Sequence, residues 1–273
     1  MADADASGFQ LEGSAPERYE QHVAPIMAPF VTALLDAADL YPGATVLDLA
    51  CGTGFAARTA AAQVGPSGRV FGVDINEGML RVAEARHPRM YPDIEFTRAS
   101  ADDLPYPDAT FDAVVCQQGV QFFPDLDAAL AEAARVTRPG GRFAATVWAD
   151  RSLCPYFTAQ YEVIQEYGGP ETAESFAGVF SCPAERLTTA LRAAGFKDPA
   201  AREVTYGITL PPPAEYAPDQ LSVLPWGQEI LEAHGEKVLA EAGHALAARL
   251  ADRTAPDGTV TLPFTTIIVT AVR

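Results

Sequence analysis

The run Val46-Leu47-Asp48-Leu49-Ala50-Cys51-Gly52-Thr53-Gly54 restricts what this chain can fold into more than any other stretch. A short apolar segment meets a turn of small residues, and an alanine-rich segment follows. That order reads as strand, tight loop, helix. Such a loop has few side chains to hold a ligand off its backbone, and the helix behind it supplies oriented N–H donors. Asp48, near the end of the strand, sits where it can receive a cationic group. A nucleotide-like ligand that carries an amino acid suits the combination.

The same alternation continues across residues 45–148. Strands are expected at 45–49, 69–74, 94–98, 111–116 and 142–148, and helices at 56–64, 77–86 and 125–137. Gly65-Pro66-Ser67-Gly68 and Pro139-Gly140-Gly141 punctuate them as turns. Repeated strand–helix–strand order specifies a parallel sheet with helices on both faces. Upstream, Tyr19, Val23, Ile26, Phe30 and Leu34 mark one helix face, which Pro25 and Pro29 kink or split. Downstream, residues 151–182 are rich in aromatic residues without a clean period. Helices follow at 183–194, 214–224 and 229–250, and strands at 202–210 and 259–272.

The expected fold is therefore α/β: a doubly wound, Rossmann-like, mostly parallel seven-stranded sheet with an antiparallel last strand and a helical cap. Its parts are an N-terminal helical lid (1–40), a binding core (41–150), and an aromatic insertion with a helix and a strand that complete the sheet (151–210). A helical cap (211–256) and the last strand (257–273) follow.

A formal net charge of −17 repels phosphate backbones, so nucleic acid is not an expected partner. Cys51, Cys116, Cys154 and Cys182 form no C-x-x-C pair and lack zinc-site spacing, so no metal is expected and a reducing cytoplasm is the simplest setting. The acidic start Met1-Ala2-Asp3-Ala4-Asp5 does not read as a secretory signal, and no apolar run has the length of a membrane span. A monomer or homodimer acting on a small molecule is the expectation.

The glycine-rich loop alone fits nicotinamide, flavin or adenosyl cofactors alike. Three features narrow it. Asp74 ends the second strand, about twenty residues beyond the loop, where an acid accepts ribose hydroxyls. Phe55 and Ala56 follow Gly54, so the third glycine of the dinucleotide fingerprint is missing. Ser100-Ala101-Asp102 follows the third strand, placed to edge an adenine. A nicotinamide-dependent oxidoreductase would need that third glycine and a Tyr-Lys or similar pair, and the chain has only Lys197 and Lys237.

With these residues in view, the chain resembles a class I S-adenosylmethionine-dependent methyltransferase, of the broad type that includes ubiquinone/menaquinone-biosynthesis and natural-product methyltransferases. The resemblance covers most of residues 16–200 and is strongest at 46–54, 70–76, 99–123 and 135–148. It implies S-adenosylmethionine as cofactor and assigns roles by position. Residues 48–54, with Asp48, Ala50, Cys51, Gly52 and Gly54, would cradle its methionine part and ribose. Asp74 would bind the ribose hydroxyls, with Ile75 and Met79 by the adenine and Ser100, Ala101 and Asp102 along its edge. Cys116 and Gln117 would meet the methionine ammonium through backbone or amide oxygens, and Tyr19 would close over the carboxylate. Two positions depart from the family: Ala50 stands where a glycine is frequent, and Ser100 where many relatives place an aspartate.

The implied function is in-line methyl transfer to a small, partly apolar organic acceptor: a secondary metabolite, quinone or isoprenoid-like molecule. The alternative is a protein that binds S-adenosylmethionine without methyl transfer, a regulator or cyclase. The segment Gln117-Gln118-Gly119-Val120-Gln121-Phe122-Phe123 can orient an acceptor, but glutamine cannot take its proton at neutral pH. Of His22, His87, His234 and His244, His22 shares the lid with Tyr19 and His234 lies in the cap, so these two and Gln121 are the candidate catalytic side chains. Gln121, Phe122, Trp148, Tyr156 and Trp226 are the candidate acceptor walls.

Overall fold

The computed structural model describes residues 11, 13–86 and 93–273. It opens with helix α1 (Ala15–His22), a 3-10 turn (Ala24–Met27) and α2 (Ala28–Ala37), so the two prolines divide the N-terminal helix rather than bend it. The core then runs β1 (Thr45–Leu49), α3 (Phe55–Val64), β2 (Arg69–Asp74), α4 (Glu77–Arg86), β3 (Ile94–Arg98), β4 (Phe111–Gln117), α5 (Leu126–Val136) and β5 (Thr137–Trp148). It continues through α6 (Pro155–Ala177), α7 (Ala184–Ala193) and β6 (Lys197–Leu210). The cap helices α8 (Pro213–Val223), α9 (Pro225–His234) and α10 (Glu236–Arg249) come next, and β7 (Val260–Val272) closes the chain.

Among the described residues the strands form one seven-stranded sheet in the order β3-β2-β1-β4-β5-β7-β6. The neighbouring pairs among β1–β5 are parallel, and β7 runs antiparallel to both β5 and β6. The order reverses between β1 and β4, which opens a crevice at their carboxyl ends. β1 is buried on both faces, as a central parallel strand must be. Two apolar layers sandwich the sheet, one under α2, α3, α6 and the cap, the other under α5 and α7.

Four details differ from the sequence expectation, each for a local reason. β5 begins at Thr137, not 142, and takes in the expected turn Pro139-Gly140-Gly141, where Gly140 has φ 81 and the β4–β5 register shifts between Phe111 and Ala113. α6 spans the segment that showed no period, because Gly169 (φ 86) and Pro170 break the helix and reset its phase. The cap stretch 229–250 is two helices, divided where Gly235 takes φ 85. β6 begins at Lys197, not 202; Pro199, with no N–H to give, is tolerated there because β6 is an edge strand with a register shift between Lys197 and Ala200. The β6–β7 pairing extends past the end of β5, from Thr205–Thr265 to Leu210–Val260, and this two-stranded arm carries α8–α10 as an insertion beside the crevice.

Candidate active site

One cavity of about 600 Å³ fills the crevice. Its floor, the loop half, comes from the carboxyl ends of β1, β2, β3 and β4. Its roof, the cap half, comes from the N-terminal segment, α6, α8 and α9.

In the loop half the turn after β1 is pinned by backbone hydrogen bonds. The Cys51 N–H donates to the Val73 carbonyl (2.9 Å) and the Gly54 N–H to the Cys51 carbonyl (2.8 Å). Gly54 takes φ 77, and a Cβ there would come within 2.9 Å of the Phe96 ring, so this position admits glycine alone. Asp74 holds the turn from the side: its carboxylate accepts the Gly52 N–H (2.7 Å) and the Asn76 N–H (2.8 Å). Burial pushes its pKa above the ordinary carboxylate range, and these backbone donors draw it part of the way back. Each oxygen keeps lone-pair capacity towards the cavity.

Asp48 is different. It is wholly buried and lines the cavity, yet neither carboxylate oxygen has a hydrogen-bond partner among the described residues. Burial raises its pKa to about 7; the nearby Asp74 adds to this, while the Ala57 N–H and the Arg58 charge relieve it without making a hydrogen bond of ordinary geometry. An orphaned carboxylate at the end of a central strand is costly unless a cation or donor arrives.

Beside it, Ala50 adopts φ 56 and Gln118 φ 53, two left-handed residues other than glycine at one site. The Ala50 methyl fits because Gly119 lacks a Cβ, which would stand 2.8 Å from it. Gln118 is held by its N–H, which lies 3.1 Å from both the carbonyl and the hydroxyl oxygen of Thr146. Gln117 lines the same half, and its Nε2 is buried and unpartnered among the described residues.

The cap half is apolar. Phe122, Trp148, Phe157, Phe176, Phe180 and Trp226 wall it, with edge-to-face contacts at Trp148–Phe157 (4.8 Å between centroids) and Phe176–Trp226 (4.9 Å). Among the described residues that line this half, the polar side chains include the neutral amides Gln118, Gln121, Gln160 and Gln220, with the Tyr19 phenol at its border with the floor. No described histidine, lysine or arginine reaches the cavity wall.

α1 bridges the halves. Glu20 accepts the Thr53 hydroxyl (2.5 Å) and pairs with Arg58 (2.6 Å) on the floor. Arg18 donates to the Ser222 hydroxyl and Tyr216 to the His22 carbonyl (2.9 Å) on the cap. Tyr19, between them, faces the cavity, and burial with Glu20 and Asp74 close by lifts its pKa to about 12.

The cavity thus gathers Tyr19, Asp48, Ala50, Cys51, Gly52, Asp74, Ile75, Met79, Ser100, Ala101, Asp102 and Gln117 from the expected cofactor set. Gly54 lies behind the wall as the cap of α3, and Cys116 is wholly buried with its sulfur under Gly119. Of the expected acceptor residues, Gln121, Phe122, Trp148 and Trp226 line the cavity. Tyr156 does not: it is 0% exposed behind the wall, its hydroxyl donating to Gln220 Oε1 (3.0 Å). The catalytic candidates His22 and His234 are also off the wall: His22 is half-buried at the end of α1, where its carbonyl accepts the Tyr216 hydroxyl, and His234 is exposed at the end of α9. His244 is exposed on α10, and His87 lies outside the described residues.

Sequence reasoning missed Gln160, Gln220, Phe157, Phe176, Phe180 and the Glu20–Arg58 pair. One signal was available for Gln160: it falls on the stripe Tyr156, Ala159, Val163, Ile164, a polar residue at a core position. Among the described residues there is no cluster of acidic, histidine or cysteine side chains that could hold a metal, and no helix long and apolar enough to cross a membrane.

Comparison with known proteins places this geometry. A family described as "Methyltransferase domain" matches residues 46–141. The chain is 46% identical over 104 residues to the demethylmenaquinone methyltransferase of Symbiobacterium thermophilum, covering 37% of this chain and 41% of that protein. It is 32% identical over 178 residues to the demethylmenaquinone methyltransferase of Staphylococcus carnosus, covering 61% of this chain and 73% of that protein. The match spans less than half the length of the first of these. Among solved structures, the 4+2 cyclase SpnF shares the fold at a TM-score of 0.56 and 23% identity, over 99% of this chain and 87% of its own.

Proposed function

The chain belongs to the class I S-adenosylmethionine-dependent methyltransferases of the ubiquinone/menaquinone-biosynthesis type, and from that premise we propose that it transfers a methyl group from S-adenosylmethionine to a small, partly apolar organic acceptor. The observation that carries this reading is the single cavity with two unlike halves. One half offers carboxylates and a glycine loop; the other, continuous with it, offers aromatic walls and neutral amides.

The residues present fit the cofactor. Asp74 offers acceptor sites to ribose hydroxyls while the Gly52 and Asn76 amides hold it in place. Asp48, buried and without a partner among the described residues, answers the charge of an α-ammonium, and the Gln117 Nε2 donor suits the carboxylate beside it. Ile75, Met79, Ala101 and Asp102 line the place for the adenine. S-Adenosylmethionine, when bound, supplies a methyl group made electrophilic by its sulfonium.

The protein's part in the chemistry is to position the acceptor and exclude water. Phe122, Trp148, Phe157 and Trp226 do the excluding, and Gln118 and Gln121 do the orienting. The cavity's carboxylates, Asp103 and Asp125 included, lie at the ends of β1 and β2 and on the loops that follow β3 and β4, with Asp125 capping α5. The cap half offers amides and the Tyr19 phenol, so the reading favours an acceptor atom that is nucleophilic without a base. Demethylmenaquinone methyltransferases are the named relatives, which makes quinone-type aromatic molecules the first acceptors to try.

The test is incubation with methyl-labelled S-adenosylmethionine and a panel of hydroxylated and amino aromatic compounds. Label in at least one product, with formation of S-adenosylhomocysteine, is the expected result. Tight binding of S-adenosylhomocysteine with no transfer across the panel would favour the non-transferring alternative, and no binding at all would overturn both.

A further inference from the structure

Two hydrogen-bond acceptors stand unused in the cap half. Gln121 Oε1 and Gln160 Oε1 are both buried, both belong to residues that line the cavity, and neither has a partner among the described residues. Gln160 is 0% exposed as a residue. Glutamine amides at such sites are normally satisfied at both ends.

The direction of the Gln121 amide follows from its neighbours. The Val147 carbonyl can only accept, so the Thr266 hydroxyl, 2.6 Å away, donates to it. The Thr266 oxygen therefore accepts from Gln118 Nε2 (2.9 Å), which turns Gln118 Oε1 towards Gln121. Gln121 must give its Nε2 to that oxygen (3.1 Å), and its own Oε1 faces away from the chain of bonds. A relay that begins at a β5 carbonyl thus ends in a buried, unused acceptor of a residue that lines the cavity. On the opposite side Gln160 is tied by its Nε2 to Gln220 Oε1 (3.0 Å), which also receives the Tyr156 hydroxyl (3.0 Å), and Gln160 Oε1 is again what is left over.

Resting on the methyltransferase reading and deepening it, we propose that Gln121 and Gln160 select the acceptor by its hydrogen-bond donors. The site takes an apolar molecule that carries hydroxyl or N–H groups, one for each amide oxygen. A molecule with carbonyl or ether oxygens in the same places meets two like dipoles in a low-dielectric chamber and is rejected.

The chain supplies its own reporter, because both of its tryptophans, Trp148 and Trp226, line this cavity. Hexylresorcinol and its dimethyl ether have the same apolar body and differ in donors. Tryptophan emission, excited at the red edge of its band, is followed during titration with each, with and without S-adenosylhomocysteine. Wild-type protein should bind the resorcinol about ten-fold more tightly than the ether. Gln121→Met and Gln160→Met should each reduce resorcinol affinity several-fold and raise that of the ether, because the repelling oxygen is gone. Equal affinity for the two probes in the wild type, no response to either, or variants that weaken both probes alike would overturn the proposal. The wild-type pair of titrations decides it even where a variant fails to fold. S-Adenosylhomocysteine affinity, read separately by calorimetry, bears on the cofactor reading alone: its absence would remove that reading while a preference for the resorcinol would stand.

Discussion

The loop half of the cavity takes its polar groups from backbone amides and carboxylates within residues 48–103 and the end of β4, whereas the cap half takes its walls from α6, α8, α9 and the N-terminal segment, far apart in sequence. The first is a local construction. A strand, a turn and a helix place Gly52, Gly54 and Asp48, and Asp74 at the end of the neighbouring strand is bonded directly to the turn. The second exists only because the β6–β7 arm carries three helices over the crevice and α1 fastens them to the floor. Backbone-built recognition changes little with side-chain substitution, while a pocket of aromatic side chains changes with every one. The two halves should therefore respond separately to mutation.

The largest separation is expected from Trp226→Ala. Trp226 is 6% exposed, stacks edge-on against Phe176 and donates its Nε1 to Ser175 Oγ (3.1 Å). Its loss should cost about 3–5 kcal/mol of stability in chemical denaturation. The folded variant should still bind S-adenosylhomocysteine, and loss of that binding in folded protein would show that the halves are not independent. Asp74→Ala should act the other way, weakening S-adenosylhomocysteine by about 2–3 kcal/mol in calorimetry while hexylresorcinol binding holds. An unchanged affinity would mean that Asp74 does not bind the ribose. The smallest effect is expected where the halves are joined. Glu20→Ala removes the Thr53 and Arg58 contacts of the lid and should speed dissociation of S-adenosylhomocysteine in stopped-flow by a factor of a few, about 1 kcal/mol.

The same contrast explains what could be read from the sequence. The order of strands, the loop and Asp74 were legible because each depends on neighbours in the chain: apolar runs, small residues at a turn, an acid at a strand end. The cap half was only partly legible. Gln160 stayed hidden because α6 resets its phase at Gly169 and Pro170, so its stripe does not stand out as a period. Tyr156 belongs to the same stripe but points behind the wall, a distinction of one helical turn that composition does not carry. His22 and His234 were plausible bases by chemistry alone, and their places at the ends of α1 and α9 leave both off the cavity wall. Ala50, where a glycine is frequent in the family, is accommodated by Gly119, a pairing visible only once β1 and β4 lie side by side.

Asp48 carries the central claim, that the loop half is built to receive a cation-bearing cofactor. Its proton is held in the ligand-free fold up to about pH 7, while an unfolded aspartate gives it up near 3.8. Asp48's contribution to ligand-free stability should therefore fall as pH rises through that window and level off above it, and Asp48→Asn should flatten the dependence, leaving the smaller share of Asp74. An ammonium placed against Asp48 reverses the preference and drives the proton off. The most direct measurement is calorimetry of S-adenosylhomocysteine binding at pH 6, in two buffers of different ionisation enthalpy, on wild-type protein and Asp48→Asn. The account predicts release of close to one proton by the wild type, much less at pH 8, and none by the variant. Binding without proton release at pH 6, or equal release by the variant, would contradict it.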